Sequence, residues 1–155
     1  MKSINIALLS AMPEEIGSTI DNLEKVTQKE YGDLKIYFGK LKKKVPNYES
    51  VFITLACSGW GKVSAARAIT RILAERNKID LIIFTGVAGA ANNKLDQWDI
   101  VIANEVIQHD MDARPIFEKF VLPPLKKAKL ESDNILKNWV FDSLKKSIFN
   151  GDLKK

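Results

Sequence analysis

Three short apolar runs, each ending at a turn of small or turn-forming residues, constrain the fold of this chain most strongly. Ile4 to Leu9 is apolar at five of its six positions and leads into Ser10-Ala11-Met12-Pro13-Glu14-Glu15. Val51 to Cys57 is nearly all apolar and leads into Ser58-Gly59-Trp60-Gly61. Leu81 to Phe84 is wholly apolar and leads into Thr85-Gly86-Val87-Ala88-Gly89-Ala90. Short runs of this kind, without strict alternation and bounded by turns, fit strands buried on both faces. Leu34 to Phe38, which partly alternates, and Asp99 to Ile107 are predicted as further strands, with a turn over Lys42 to Ser50 between the second and third.

Helical spacing separates these runs. Pro13 suits a first helical turn, where its missing N–H costs nothing, and Ile16, Ile20 and Leu23 then recur on one face. A second helix is predicted over Lys62 to Asn77, with Val63, Ala66, Ile69, Ile72 and Leu73 together. A last helix, capped by Ser132 or Asp133, carries Leu136, Trp139, Val140, Leu144 and Ile148 on one face. The order β-α-β-β-α-β-β-α implies an α/β layered domain with a largely buried sheet.

The remaining composition narrows the partners. A chain of 155 residues, 46% hydrophobic and 28% charged, suits one globular domain over 1–155. No apolar run approaches the ~20 residues of a membrane helix. The opening MKSINIALLS lacks a small-residue cleavage site and contains Asn5, so it reads as a strand and not a signal peptide. The expected setting is the cytoplasm. The single cysteine, Cys57, excludes an internal disulfide and reads as a buried structural thiol. The net charge of +5 comes from lysines in short scattered clusters with no aromatic residues between them. They read as solvated surface, not as a nucleic-acid platform. Trp60, Trp98 and Trp139 read as core or interface aromatics.

In open α/β sheets, ligands bind beyond the carboxyl ends of the strands, where small residues let them approach the backbone. The three turns named above stand at such ends. Glu14 and Glu15 form a carboxylate pair at the first, although both also suit a helix N-terminus, where negative charge is favoured. Gly59-x-Gly61-Lys62 lacks the spacing and the following hydroxyl of a phosphate loop. His109 is the only histidine, which excludes a His-rich metal site. His109-Asp110-Met111-Asp112 reads as a polar cluster or a loop reaching a neighbouring subunit.

Five motifs in this order resemble the bacterial methylthioadenosine/S-adenosylhomocysteine nucleosidases. They are Ala11-Met12-Pro13-Glu14-Glu15, Ser58-Gly59-Trp60-Gly61-Lys62-Val63, Thr85-Gly86-Val87-Ala88-Gly89, Trp98-Asp99-Ile100-Val101 and His109 to Asp112. The resemblance covers most of the chain and is weaker after Pro115. It implies a three-layer αβα fold around a central mixed sheet, nucleoside phosphorylase-like and incomplete at the C-terminus. It implies hydrolysis of the N-glycosidic bond of 5′-thio-substituted adenosines to adenine and the thioribose, without a cofactor or metal. Glu15 would position and activate the attacking water. Met12 would pack on the sugar, Trp60 would line the 5′-substituent pocket, and Val87, Ala88 and Gly89 would line base and ribose. His109 to Phe117 would help form a homodimer.

Two substitutions and one absence depart from the family pattern. Val87 stands where a serine is common, and Trp60 where an aliphatic residue is common. The family's later ribose-gripping Met-Glu motif does not occur in these 155 residues, and its late Ser-Asp motif, whose aspartate is the general acid toward adenine, has no counterpart in them, Ser132-Asp133 being read as a helix cap. The chain is therefore expected to be a truncated portion with weak or no activity by itself. Losing a positioned acid costs on the order of 10²–10⁴-fold in rate. A non-catalytic nucleoside-binding or interaction module of the same fold is the alternative. A purine nucleoside phosphorylase is a further one, disfavoured because Glu14 and Glu15 would repel phosphate and no arginine precedes Arg67.

Overall fold

The computed structural model describes residues 2–76 and 78–151, in two compact units, Met1–Gly89 and Ala90–Lys155. The first unit holds a five-stranded mixed sheet. Its strands are β1 (Lys2–Ser10), β2 (Leu23–Tyr31), β3 (Leu34–Leu41), β4 (Tyr48–Cys57) and β5 (Leu81–Phe84). They lie in the order β2-β3-β4-β1-β5. β1 runs parallel to both neighbours, with Leu8 beside Leu55 and Ile83. β2 and β3 form an antiparallel hairpin that joins the sheet through β4.

The alternation of side chains across a strand divides the apolar residues between two faces. On one face Ala7, Leu9, Leu34, Ile36, Phe38 and Ala56 pack with Ala68 and Ile72 of helix α2 (Lys62–Glu75). On the other, Leu23, Val51, Ile53 and Leu55 meet Ile16 and Ile20. Those two belong to a single helical turn, α1 (Pro13–Ile16), and the 3-10 stretch Gly17–Asn22 that follows it. Helical segments therefore cover the sheet on both sides, as the strand and helix pattern predicts.

The first helix is shorter than Ile16, Ile20 and Leu23 suggest. Gly17 adopts φ 53° and ψ −135°, which breaks the α-helix after one turn. The Thr19 hydroxyl donates to the Ile16 carbonyl at 2.6 Å, capping the broken end. Leu23 then begins β2, paired with Leu41. The three residues do share one apolar cluster, so the burial expected of them holds while the helix does not. Strand β2 went unforeseen because six consecutive residues of it, Glu24 to Lys29, are polar except Val26. It is an edge strand, irregular between Glu24 and Thr27.

A close approach explains one glycine of the hairpin. A Cβ on Gly39 would lie 2.9 Å from the Leu23 Cβ. Only hydrogen fits where β2 crosses β3 at that point.

Helix α2 ends at Glu75, short of the predicted Asn77, which lies outside the described residues, as do 152–155. Arg67 makes a bidentate pair with Asp33, and Arg71 lies 3.6 Å from the Tyr31 ring centre. Lys29 and Arg71 both pair with Glu75, whose carboxyl is held down to about 2, first by the Lys29 hydrogen bond and then by Tyr31. These contacts fasten the hairpin to α2.

The second unit contains a two-stranded antiparallel ribbon, β6 (Glu105–Ile107) with β7 (Lys129–Glu131), and helix α3 (Asn134–Phe149). Asp133 caps α3 as predicted, accepting from the Leu136 N–H at 2.9 Å. The predicted strand from Asp99 is confined to Glu105–Ile107, because β7 supplies a partner only there. Residues 96–99 instead form a turn, in which Asp96 N–H donates to the Asp99 carboxylate. No described residue of this unit is buried. Trp98 and Trp139 are exposed, so neither is a core residue here. Among the described residues no helix is long and apolar enough to cross a membrane.

Candidate functional site

The parallel strands β4, β1 and β5 bring their carboxyl ends together, and backbone hydrogen bonds continue the alignment past the strands. The Ser58 N–H donates to the Ser10 carbonyl at 2.8 Å and the Gly59 N–H to that of Ala11 at 3.1 Å. On the other side the Thr85 N–H donates to the Leu9 carbonyl at 2.9 Å. After β1 the chain turns onto one face of the sheet, and after β4 onto the other. Adjacent strands whose connections leave in opposite directions open a crevice between them, and such crevices hold ligands.

Glu15 sits beside this crevice, across the carboxyl ends of β1 and β5. Met12 is extended and Pro13 occupies the first helical position, so Glu15 falls one helical turn beyond the end of β1 and its side chain turns back. One carboxylate oxygen, Oε2, accepts from the Ala11 N–H at 2.7 Å and the Met12 N–H at 3.0 Å. The other, Oε1, accepts from the Val87 N–H at 3.0 Å. A glutamate at this helical position commonly returns to the N–H of its own N-cap, which accounts for Met12 alone. The bond to Val87 ties the ends of β1 and β5 together through one side chain. The three N–H groups hold the carboxyl below the ordinary glutamate range, Val87 most strongly, then Met12, and Ala11 least; partial desolvation acts the other way.

The other predicted residues stand around this carboxylate to different degrees. Met12 is half-buried and gives its N–H. Val87 also gives its N–H, while the residue is 79% exposed. Ala88 and Gly89 continue the exposed loop after β5 without a bond to Glu15 among the described contacts. Trp60 lies at the end of β4 and is 77% exposed, so the core reading of it fails. It is flanked by Gly59 and Gly61 at φ 79° and 91°, a backbone form that side chains other than glycine rarely adopt. Glu14 is exposed in the first turn of α1, in keeping with a first-turn residue.

Ser10 was not anticipated. Its side chain is fully buried and its hydroxyl donates to the Met12 carbonyl at 3.0 Å, which fixes the turn that aims two of the N–H groups. A serine closing a strand just before a turn carries that signal weakly. Cys57, expected to be buried, is half-buried and lines a shallow groove with Ile16, Leu55 and Tyr37. His109 and Asp112 lie in the second unit, where Asp112 pairs with Arg114, which holds its carboxyl down to about 2. Among the described residues no group of three or more His, Cys, Asp or Glu is placed to hold a metal.

Known proteins are similar to this chain in sequence and in fold. The sequence profile of the phosphorylase superfamily matches residues 5–146. A 5′-methylthioadenosine/S-adenosylhomocysteine nucleosidase of Staphylococcus haemolyticus is 33% identical over 148 residues, covering 96% of this chain and 61% of that protein. An aminodeoxyfutalosine nucleosidase of Campylobacter jejuni is 31% identical over 142 residues, covering 92% of this chain and 58% of that protein. The crystal structure of the Neisseria meningitidis 5′-methylthioadenosine/S-adenosylhomocysteine nucleosidase, in complex with methylthio-immucillin-A, superposes with a TM-score of 0.78 at 31% identity. That superposition covers 92% of this chain and 58% of the other. The chain thus spans about three fifths of the length of these relatives. They bear out the resemblance drawn from the motifs and the α/β fold it implies. A profile match over nearly the whole chain, a shared fold and motifs in the same order establish that this chain belongs to the phosphorylase superfamily.

Proposed function

We propose that this chain carries the water-directing part of a nucleosidase that hydrolyses the N-glycosidic bond of 5′-thio-substituted adenosines. Methylthioadenosine and S-adenosylhomocysteine are the substrates, and adenine and the thioribose the products. The observation that carries this reading is the Glu15 carboxylate held by N–H groups from two strand ends.

A carboxylate offers about four acceptor sites, and three are taken by backbone N–H groups. The remaining direction accepts from a water O–H and aims its oxygen at the anomeric carbon. The transition state carries positive charge on the ribosyl ring, which a fixed negative charge stabilises without reorganising. A carboxyl held ionised suits this work better than strong proton abstraction, because water attacking a ribosyl cation loses its proton late. Met12 and Trp60 would flank sugar and 5′-substituent, and Val87, Ala88 and Gly89 base and ribose.

Hydrolysis is favoured over phosphorolysis by the same geometry. A phosphorylase must hold an anion beside the sugar, where Glu15 places a negative charge. Arg67 is committed to Asp33. The residues that the resemblance assigns to protonating adenine and gripping the ribose are not among these 155, so the isolated chain turns over weakly. A cytoplasmic setting and a homodimer are part of the reading, and apolar residues such as Ile116, 82% exposed in the 109–117 stretch, support the homodimer.

The test is chromatographic measurement of adenine released from methylthioadenosine by the purified chain, with and without inorganic phosphate. The expected result is slow, phosphate-independent release that Glu15→Gln abolishes. Binding of an adenosine analogue without any release would replace the enzyme by a binding module. Phosphate-dependent release would replace hydrolysis by phosphorolysis. Sedimentation of the same sample checks the dimer.

A further inference from the structure

Gly86 stands where β5 ends, between Thr85, whose N–H closes onto Leu9, and Val87, whose N–H holds Glu15. Its φ lies outside the left-handed region, so its backbone can be adopted by alanine. Gly59 and Gly61 differ, since positive φ alone accounts for them. What excludes a side chain at Gly86 is one neighbour. A Cβ there would lie 2.7 Å from Oε1, 2.8 Å from Cδ and 2.9 Å from Oε2 of Glu15, and these are its three nearest heavy atoms.

We propose that Gly86 is a positioning residue for Glu15: the space left by its missing side chain is the seat of the carboxylate. The proposal rests on the role given to Glu15 above. Contacts under 3.0 Å are not sustained by a real Cβ, so one group must move. The backbone before Gly86 is tied to β1 through the Thr85 N–H to the Leu9 carbonyl, whereas the carboxylate is the tip of a flexible side chain. Alanine at this position therefore displaces the carboxylate and leaves the strand end in place. Oε1 is both the atom nearest the added carbon and the acceptor from Val87, so that bond is lost first. Glu15 would keep its charge and lose its aim, and a displacement of about 1 Å is worth on the order of 10²-fold in rate.

The experiment uses the 155-residue chain and needs no substrate. The side-chain carboxyl of Glu15 is followed by carbon NMR through a pH titration, its signal assigned by its disappearance in Glu15→Gln. Glu15 is expected to titrate below the ordinary glutamate range in the native chain, and the Val87 amide signal to follow it. In Gly86→Ala the titration is expected to move up and the Val87 amide to stop responding. Thermal midpoints supply the second readout: any penalty of Gly86→Ala should vanish when Glu15 is also replaced by alanine, because the coupled pair is then gone. If Gly86→Ala does not fold, the double variant is expected to.

An unchanged Glu15 titration in Gly86→Ala, an equal penalty in both backgrounds, or failure of both variants to fold would overturn the proposal. Failure of the nucleosidase reading looks different: the titration would move as expected while no adenine is released by any variant.

Discussion

The Oε1 atom of Glu15 accepts a hydrogen bond from the backbone N–H of Val87 at 3.0 Å, across 72 residues of sequence. One side chain thus reports the docking of β5 beside β1, and the Val87 N–H is the strongest influence lowering its pKa.

Shortening this side chain tests the reach. Glu15→Asp keeps the charge but is one methylene short, so it cannot span from Ala11 to Val87. Adenine release by Glu15→Asp should fall by on the order of 10²-fold or more, close to Glu15→Gln. Release within a few-fold of the native chain would show that the carboxylate works without this grip.

Acid should erase the stabilising part of the same contacts. Because the folded Glu15 carboxyl is depressed, its contribution is present above the unfolded value. It is lost as pH falls through the folded value. The difference in urea midpoint between the native chain and Glu15→Gln should be largest near neutrality and close on acidification. Glu75 behaves in the same sense, its loss extending down to about pH 2, where the Lys29 hydrogen bond gives way. A midpoint difference that does not vary with pH would contradict this.

Ser10→Ala removes the donor to the Met12 carbonyl from a fully buried position. A cost of about 1 kcal/mol in chemical denaturation is expected. The Glu15 titration should also rise, since the turn that aims the Ala11 and Met12 N–H groups loosens. A stability cost with no change in that titration would make Ser10 purely structural.

Gly39→Ala should destabilise the chain by about 1–3 kcal/mol, the usual range for forcing an extra carbon into a filled site. The added Cβ meets the Leu23 Cβ at 2.9 Å, and both atoms belong to packed strands that cannot swing away. Ile72→Ala, which empties a fully buried position on α2, should cost about 2–5 kcal/mol. Equilibrium denaturation measures both, and a neutral result for either would mean that the sheet or the helix repacks.

The sequence alone determined the three strands whose carboxyl ends form the crevice, because buried parallel strands leave apolar runs that end at turns. It also located α2 and α3, narrowed the α3 cap to Ser132 or Asp133, and placed Glu15 at the first strand end. What it could not determine were features that depend on contacts distant in sequence. Strand β2 is polar because it lies at an edge, so its partner β3 specifies it more than its own residues do. The stretch Asp99 to Asn104 reads as strand by composition but lacks a neighbour to pair with among the described residues. Ile16, Ile20 and Leu23 keep helical spacing, although Gly17 ends the helix and the sheet claims Leu23. Most plainly, a glutamate one turn into a helix looks like an ordinary capping residue. Only the parallel docking of β5 against β1 brings the Val87 N–H and the bare Gly86 to its carboxylate, because hydrogen bonds act over a few ångströms and the chain alone does not set that distance.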